Sequence, residues 1–271
     1  ALISEDTRYT IKALRQMGVQ IAVNDTDVRV EGTGGRLESC AAPIDLGNSG
    51  TSMRLLTGVA ALGKGTYTLT GNARMQKRPI QDLLDALQQI NVQARSVKGN
   101  GCPPVEVTGA KINTKQVEIN CQNSSQYLSA LLLIAPLTPQ GLDIQVVGGP
   151  VSKPYIDLTV AMMERFGIAL DRNNYQTFSI PRGQSYRAGQ YAVEADCSQA
   201  AYFWSAAAIG GTRIKVMGVN NDSLQGDVHF IDLLEQMGCR VSREIDGIAV
   251  IGGPLKAIEA DLADMPDQVP T

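Results

Sequence analysis

The sequence predicts an α/β protein built from repeated βαβαββ modules of about 73 residues each. The prediction begins with four segments in which an amphipathic helix stops and a strand follows. The helix stops recur every 71 to 76 residues: Gly18, Asn91, Gly167 and Gly238. Clusters of small polar residues open apolar runs midway between the stops, with spacings of 75 and 73 residues: Asn48, Asn123 and Asp196. A period this long indicates a supersecondary unit and not a solenoid repeat.

Within each module, local signals give the order strand, helix, strand, helix, strand, strand. The small polar clusters are suited to cap the first helix. Pro79 and Pro154 suit the first turn of the second helix, where a missing N–H costs no hydrogen bond. Runs of β-formers that lead into Gly or Asn turns predict the strands: TYTLTG, VEVTG, LDIQVVG, YAVEA, TRIKVMG and GIAVIG.

The repeat is cut at both ends of the chain. The sequence opens on the second helix of a module, from Ser4 to Met17. It closes at Met265 to Thr271, where the first helix of the next module is due. We therefore expect the chain to be a fragment of a longer protein, with ends that are less stable than its middle.

Composition argues against several classes of function. A formal net charge of −3 argues against nucleic acid or an anionic membrane as the partner, and the apolar runs are too short to cross a bilayer. The five cysteines include no CxxC pair, and the single His229 lacks a recognisable nucleophile partner. We expect a reducing compartment, no disulfide framework, no metal site, and cysteines that are inert core residues.

The stretch LGNSGTSMRLL, from Leu46 to Leu56, is a candidate anion site. Glycine and small polar residues before an apolar run predict a loop that enters a helix, and the free N–H groups of the first turn can hold an anion. The alternative is an ordinary N-cap beside a tight loop. The stretch alone does not separate the two, because it is neither a Walker loop nor a dinucleotide fingerprint.

In two modules a cation stands directly before the proline that opens the second helix of the module, which is another indication of a bound anion. Arg78 and Lys153 occupy these positions. A cation at a helix N-terminus opposes the helix dipole, so a bound anion would offset the cost. The alternative is a side chain that points to solvent. Arg78 can bind a carboxylate or phosphate through two parallel hydrogen bonds, which a lysine cannot do.

Hydroxyl and amide groups cluster at the helix starts: Ser124, Ser125, Gln126, Ser152 and Tyr155. They suit phosphate oxygens or a polyol, although plain capping is an alternative for any one of them. Asp267 lies in the loop before the last expected helix, at the position that corresponds to Asp196 in the preceding module. A carboxylate among anion-binding helix starts can serve as a general base, or it can be an N-cap.

Five motifs, in order along essentially the whole chain, resemble those of the 5-enolpyruvylshikimate-3-phosphate (EPSP) synthase family, also called 3-phosphoshikimate 1-carboxyvinyltransferase. LGNSGTSMRLL resembles the family segment LGNAGTAMR, and RMQKRPIQDLLDAL resembles RMKERPIGDLVDAL. NSSQYLSALLL, VSKPYIDLTVAMMERFG and EADCSQAAYFWSAAAI are similar to the SSQ, SKPYID and EGDASSASYF segments. Ser49 and Ser52 stand where the family has alanine, and Leu55 where many members have proline.

The resemblance implies the enolpyruvyl transferase fold, with two lobes that are each an inside-out α/β barrel of three modules. Helices would lie inside each lobe and sheets outside. In that frame residues 1–194 are the first lobe with an incomplete first module, and residues 195–271 are the truncated start of the second lobe. The boundary is expected near Glu194, where YAVEA leads into DCSQAAYF.

The reaction that the resemblance implies moves the enolpyruvyl group of phosphoenolpyruvate to the 5-hydroxyl of shikimate 3-phosphate and releases phosphate. No metal or organic cofactor is implied. Carried over by position, the shikimate 3-phosphate contacts are Ser124, Ser125, Gln126, Ser152, Tyr155 and Asp267. The phosphoenolpyruvate contacts are Gly50, Thr51, Arg78 and Gln126, and Asp267 is the base for the 5-hydroxyl. The complete protein is expected to be a cytoplasmic monomer whose partners are these two small molecules.

Two other functions stay open. UDP-N-acetylglucosamine enolpyruvyl transferase shares the module and the chemistry, but it uses a cysteine in the interval that corresponds to Gly63 to Lys77, where this chain has none. The chain as given can also be a non-catalytic remnant that binds a polyol phosphate. The family's early SGSKS-type segment and the basic residues expected after Thr271 are absent from it.

Overall fold

The structure is a computed structural model, in which residues 4–271 are described. Helix α1 (Glu5–Gln16) begins at a capping box, in which the Thr7 backbone N–H donates to Ser4 Oγ at 3.2 Å. A hairpin of β1 (Gln20–Asn24) and β2 (Asp27–Glu31) follows it. These elements are the second helix and the last two strands of a module, as the sequence predicts.

Residues 44–108 form a complete module with the predicted order of elements. It consists of β3 (Ile44–Asp45), α2 (Gly50–Ala60), β4 (Thr66–Thr70), α3 (Gln81–Gln89), β5 (Gln93–Ser96) and β6 (Val105–Thr108). The sheet order is β3-β4-β6-β5. Strand β3 pairs parallel with β4, and the other pairs are antiparallel. The parallel pair is the one joined through a helix, because parallel neighbours need a crossover connection.

Residues 116–181 repeat this topology. The second complete module consists of β7 (Gln116–Asn120), α4 (Gln126–Ile134), β8 (Gly141–Gly148), α5 (Lys153–Arg165), β9 (Asp171–Asn173) and β10 (Thr177–Pro181). Its sheet order is β7-β8-β10-β9, again with only the first pair parallel. The predicted repeat of one βαβαββ unit is therefore confirmed.

A third copy of the module follows without its first strand. It consists of α6 (Cys197–Gly210), β11 (Arg213–Met217), α7 (Phe230–Gln236), β12 (Arg240–Glu244) and β13 (Gly247–Ile251). These three strands form an antiparallel sheet in the order β11-β13-β12, which matches the last three strands of the complete modules. The strands of residues 4–271 lie in four open sheets, and the α/β class of the prediction is confirmed.

The predicted strand YAVEA is wrong, because residues 191–195 pair with no strand. Val193 is 61% exposed, so the segment has no apolar face that packing would hold in a ladder. One backbone hydrogen bond remains, from the Ala195 N–H to the Gly218 carbonyl at 2.8 Å. The complete modules close their first strands with equivalent bonds: Leu46 to Thr70 at 2.9 Å and Cys121 to Gly148 at 2.7 Å.

All four predicted helix stops have a left-handed backbone. The φ angles are +87° at Gly18, +65° at Asn91, +86° at Gly167 and +111° at Gly238. Glycine and asparagine adopt this conformation more readily than other residues, which is why they end helices. The structure therefore confirms the positions at which the sequence predicts that helices stop.

The prediction for the two prolines is confirmed for one and wrong for the other. Pro154 lies in the first turn of α5. Pro79 precedes α3, because Ile80 has φ −146° and ψ 3° and the helix begins only at Gln81. Arg78 is therefore three residues before the helix, and Lys153 is the first residue of its own helix.

The described residues divide into two compact units. The first comprises residues 4–151 and Thr159–Gln190, and the second comprises Ser152–Leu158 and Tyr191–Thr271. Whether these units correspond to the lobes of the family, with a boundary near Glu194, stays a prediction. No helix in residues 4–271 is long and apolar enough to cross a membrane.

Each unit has its own core. In the first unit, α2 and α4 are buried on most sides and pack closely together. A β-carbon on Gly58 of α2 would lie 2.9 Å from the Ala130 carbonyl of α4, so this approach requires a glycine. In the second unit, Trp204 of α6 is fully buried and donates its indole N–H to the Ile248 carbonyl at 3.1 Å.

Candidate active site

The first unit brings the starts of α2 and α4 together. Gln126 is the first residue of α4, and its Nε2 donates to Thr51 Oγ1, on the second residue of α2, at 3.0 Å. Thr51 is exposed and Gln126 is partly exposed, so both can contact a ligand. The two helix N-termini offer backbone N–H groups and positive dipole ends to the same region.

Arg54 is a buried residue of this region that was not assigned from the sequence. Its Nη1 donates to Gln126 Oε1 at 2.7 Å, and its guanidinium lies over the Tyr127 ring at 5.5 Å from the centroid. Arg54 is only 7% exposed. Because Arg54 holds the amide oxygen, the Gln126 NH₂ group points to the other side, toward Thr51 and solvent. The arginine of the LGNSGTSMR motif, which the family segment shares, was the available signal.

Arg78 adds a second guanidinium near Arg54. Its Nη1 donates to the Asn48 carbonyl at 3.2 Å. Partial burial lowers the pKa of Arg78 most, followed by the positive charges of Arg54 and Arg74, and Asp6 and Tyr127 only partly offset this. No Asp or Glu of residues 4–271 forms an ion pair with Arg54 or Arg78. Cations that lack an acidic partner favour a bound anion.

Gly50 makes room for Arg78. A β-carbon on Gly50 would lie 2.6 Å from both Nη1 and Nη2 of Arg78. The first residue of α2 is therefore a glycine because an arginine head group occupies the space above it. The predicted residues Gly50, Thr51, Arg78 and Gln126 are thus all neighbours at one surface of the first unit.

Ser124 and Ser125 precede Gln126 and differ in environment. Ser124 Oγ accepts a hydrogen bond from the Gln126 backbone N–H at 3.2 Å. Ser124 therefore caps the helix start, which is the alternative to ligand binding that the sequence left open. Ser125 is buried and makes no side-chain cap. Capping uses a lone pair of the Ser124 oxygen, so its hydroxyl proton can still be donated to a ligand.

The second unit contains the remaining predicted residues. Tyr155, in the first turn of α5, has its Oη 3.0 Å from Asp267 Oδ2 and 3.1 Å from Asp227 Oδ2. Ser152 precedes the helix with φ +52°. Asp267 lies in a short 3-10 turn (Pro266–Gln268), is exposed, and caps no helix of the described residues. Asp196, its counterpart in the previous module, caps α6 by accepting from Ser198 N–H at 2.9 Å.

Asp227 and Ser198 were not assigned from the sequence. Ser198 Oγ donates to Asp227 Oδ2 at 2.5 Å, and Asp227 is 2% exposed. Asp227 comes from a 3-10 turn (Gly226–His229) that is 40 residues from Asp267 in the chain, so no local pattern relates the two. The assignment of the predicted site residues to particular ligands stays a prediction in both units.

No hydrogen bond joins His229 to a cysteine or a serine in the described residues. Burial raises the pKa of Cys121 and of Cys197 to about 12, so both are thiols at neutral pH. Cys239 is also buried, whereas Cys40 and Cys102 are partly exposed. The prediction that the cysteines are core residues is therefore wrong for these two. His229 is exposed, and its Nδ1 lies 2.9 Å from Asp232 Oδ2. Residues 4–271 contain no group of three potential metal ligands.

The Gln126 amide gives a direct test of the first-unit site. Gln126→Glu keeps the side-chain shape and places a carboxylate on Arg54, so the variant should be at least as stable and should bind anions more weakly. If the anion is phosphoenolpyruvate, as the sequence resemblance implies, we expect its dissociation constant to rise about tenfold or more, as loss of a charge-assisted contact predicts. Calorimetric titration of the 271-residue chain and its thermal unfolding measure both effects.

The matched control for this variant is Gln122→Glu, which makes the same change at an exposed position four residues earlier. It should leave binding within about twofold, because an exposed charge is screened. Equal weakening by the two variants would show that net charge, and not the Gln126 position, governs anion binding.

The repeated βαβαββ modules place the chain among the α/β proteins, and in one module Arg54 and Arg78, close to the start of α2, have no acidic partner in residues 4–271 and therefore suit a small anion. A family model described as EPSP synthase (3-phosphoshikimate 1-carboxyvinyltransferase) matches residues 1–271. The chain belongs to this family.

Relatives and solved structures agree with this membership. Over 274 residues the chain is 43% identical to the 3-phosphoshikimate 1-carboxyvinyltransferases of Shewanella pealeana and of Shewanella sp. strain ANA-3. These alignments cover 100% of this chain and 64% of each relative, so the chain spans about two thirds of their length.

EPSP synthase from Acinetobacter baumannii superposes with a TM-score of 0.80 at 28% identity, over 99% of this chain and 62% of that one. The enolpyruvyl transferase NikO from Streptomyces tendae superposes with a TM-score of 0.61 at 18% identity. That alignment covers 91% of this chain and 57% of NikO, and it supports the fold alone. The enolpyruvyl transferase fold predicted from the motifs is confirmed.

Proposed function

We propose that the whole protein, meaning a full-length family member that contains this chain, is a 3-phosphoshikimate 1-carboxyvinyltransferase. It transfers the enolpyruvyl group of phosphoenolpyruvate to the 5-hydroxyl of shikimate 3-phosphate and releases phosphate. The observation that carries the proposal is the cluster of Arg54, Arg78, Gln126 and Thr51 at two helix starts, with no acidic partner for either arginine in residues 4–271. Family membership supplies the identity of the substrates.

Each unit has its own task in the proposed function. In the first unit, Arg78, Gln126, Thr51 and the Gly50 backbone N–H hold phosphoenolpyruvate, whose charges match two guanidiniums and a helix start. Ser124, Ser125 and Gln126 offer hydrogen bonds to shikimate 3-phosphate. Fixing both substrates at rigid helix starts lowers the entropic part of the barrier.

The second unit supplies the base. Asp267 is exposed and accepts a proton from the 5-hydroxyl, while Ser152 and Tyr155 position the sugar-like ring. The hydroxyl oxygen then bonds to C2 of phosphoenolpyruvate as C3 gains a proton from solvent. C3 next loses a proton to solvent, the double bond re-forms as the bond from C2 to the phosphate oxygen breaks, and Asp267 returns its own proton to solvent. This chain's residues thus bind, orient and deprotonate the substrates.

The 271-residue chain alone is expected to bind shikimate 3-phosphate weakly and to turn over negligibly. The resemblance assigns further basic contacts to segments outside this chain, and each charge-assisted contact contributes about 1.5–3 kcal/mol. Calorimetric titration with shikimate 3-phosphate, then with phosphoenolpyruvate, measures binding, and phosphate release measures turnover. Ordinary turnover by this chain would contradict the expectation.

The same assay on the whole protein tests the proposed function itself. Phosphate must be released from phosphoenolpyruvate only when shikimate 3-phosphate is present. Tight binding without release would favour the alternative of a non-catalytic binder, and release that depends on UDP-N-acetylglucosamine would favour the other transferase. We also propose that the whole protein is a cytoplasmic monomer, which light scattering and fractionation would test.

A further inference from the structure

Asp227 is a buried carboxylate for which the proposed reaction has no use. It is 2% exposed, and its Oδ1 has no hydrogen-bond partner in the described residues. Its Oδ2 accepts from Ser198 Oγ at 2.5 Å and lies 3.1 Å from Tyr155 Oη. Burying a carboxylate is costly unless hydrogen bonds compensate, so Asp227 depends on these two hydroxyl donors.

Tyr155 has only one proton to share between two carboxylates. Its burial, followed by the charges of Asp227 and Asp267, raises the pKa of Tyr155 far above its ordinary value, so it remains a neutral phenol. A phenol donates a single hydrogen bond. Its Oη nevertheless lies 3.0 Å from Asp267 Oδ2 and 3.1 Å from Asp227 Oδ2, so the two acids compete for one proton.

The difference in burial between Asp227 and Asp267 determines which carboxylate accepts the hydrogen bond from Tyr155. Asp267 is exposed, and water can replace any hydrogen bond that it loses. Asp227 is buried, so an unpaired charge there would lose far more. Ser198 on α6 also holds Asp227 in place, because its hydroxyl donates to the same oxygen that contacts Tyr155. The Tyr155 hydroxyl therefore donates its hydrogen bond to Asp227.

We propose that Asp227 is a positioning residue that holds the Tyr155 hydroxyl proton and so leaves Asp267 free to accept a proton from a ligand hydroxyl. The inference rests on the proposed function only for the identity of that ligand, the 5-hydroxyl of shikimate 3-phosphate. Without Asp227, the Tyr155 hydroxyl donates to Asp267 Oδ2 and competes with the substrate hydroxyl for that carboxylate.

The first test needs neither substrate and uses the 271-residue chain with ¹³C at the tyrosine ring carbon that bears the hydroxyl. The chain has eight tyrosines, and Tyr155→Phe identifies the resonance of Tyr155 by its loss. We expect Asp227→Asn to move this resonance and Asp267→Asn to leave it in place. A resonance that moves with Asp267→Asn and stays in place with Asp227→Asn would overturn the proposal. Asp267 is exposed, so its variant decides the matter even where Asp227→Asn does not fold.

The second test is kinetic and uses the whole protein. Asp227→Asn should lower kcat about tenfold, the effect of one charge-assisted hydrogen bond, and should leave KM for shikimate 3-phosphate within about twofold. In a Tyr155→Phe background the same change should have almost no further effect, because the hydroxyl through which it acts is gone. An equal tenfold loss in both backgrounds would show a purely structural role for Asp227.

The two tests separate this inference from the proposed function. If the parent protein releases no phosphate with both substrates, the proposed function fails while the tyrosine resonances still report which acid holds the proton. If the parent is active but Asp227→Asn moves neither kcat nor the Tyr155 resonance, the inference fails and the function stands.

Discussion

Asp267→Asn in the whole protein is expected to lower kcat by about 10²- to 10⁴-fold, the range that a general base contributes. The amide keeps the size of the carboxylate but cannot accept the proton of the 5-hydroxyl. The side chain is exposed in the second unit and lies beside the Tyr155 hydroxyl, so a substrate hydroxyl can reach it. Steady-state kinetics with both substrates measure the effect.

Asp264→Asn is the matched control for this prediction. Asp264 is exposed and lies three residues earlier in the same segment, so its substitution removes the same charge without touching Tyr155. Its kcat should stay within about twofold of the parent, since an isolated surface charge is screened. A fall of less than tenfold for Asp267→Asn would leave Asp267 as a binding residue and not as the base.

Gly50→Ala is expected to raise KM for phosphoenolpyruvate by about five- to 150-fold, because overpacking of this kind costs about 1–3 kcal/mol. The added methyl would lie 2.6 Å from the Arg78 guanidinium and would push it away from the position that it holds against the Asn48 carbonyl. The three atoms nearest the added methyl all belong to Arg78, which is proposed to hold phosphoenolpyruvate, so KM for shikimate 3-phosphate should hardly change.

The Arg78→Ala background provides the control for the glycine. If Gly50→Ala acts by displacing Arg78, adding it to Arg78→Ala should change KM for phosphoenolpyruvate very little. If the two effects instead multiply, Gly50 has a separate role at the helix start. Equal weakening of both substrates by Gly50→Ala alone would mean that the glycine serves folding and not the ligand.

Local chemistry explains which parts of this structure could be predicted from the sequence. The helix stops at Gly18, Asn91, Gly167 and Gly238 depend on backbone conformations that few residues adopt, so residue type and spacing located them. The helix starts behind the small polar clusters followed from capping in the same way. Short-range rules of this kind also indicated Gly50 and Gln126, since both stand at the first position of a helix.

Long-range packing explains the errors and omissions. YAVEA has the composition of a strand, but no neighbouring strand pairs with it. Arg54 lies within a quoted motif, yet its contact with Gln126 joins residues 72 positions apart, which no spacing rule reports. Asp227 was missed for the same reason, because its donors Ser198 and Tyr155 come from α6 and α5.

The glycine contact between α2 and α4 has a consequence for how the first-unit site binds its ligand. Gly58 and Ala130 bring the two helix backbones so close that neither helix can shift without opening the core. Thr51 and Gln126, which stand at the starts of these helices, therefore hold their 3.0 Å hydrogen bond before any ligand arrives. A contact between Gly58, in the last turn of α2, and Ala130, in the middle of α4, thus preorganises the proposed site, so little of its intrinsic affinity would be lost to ordering it.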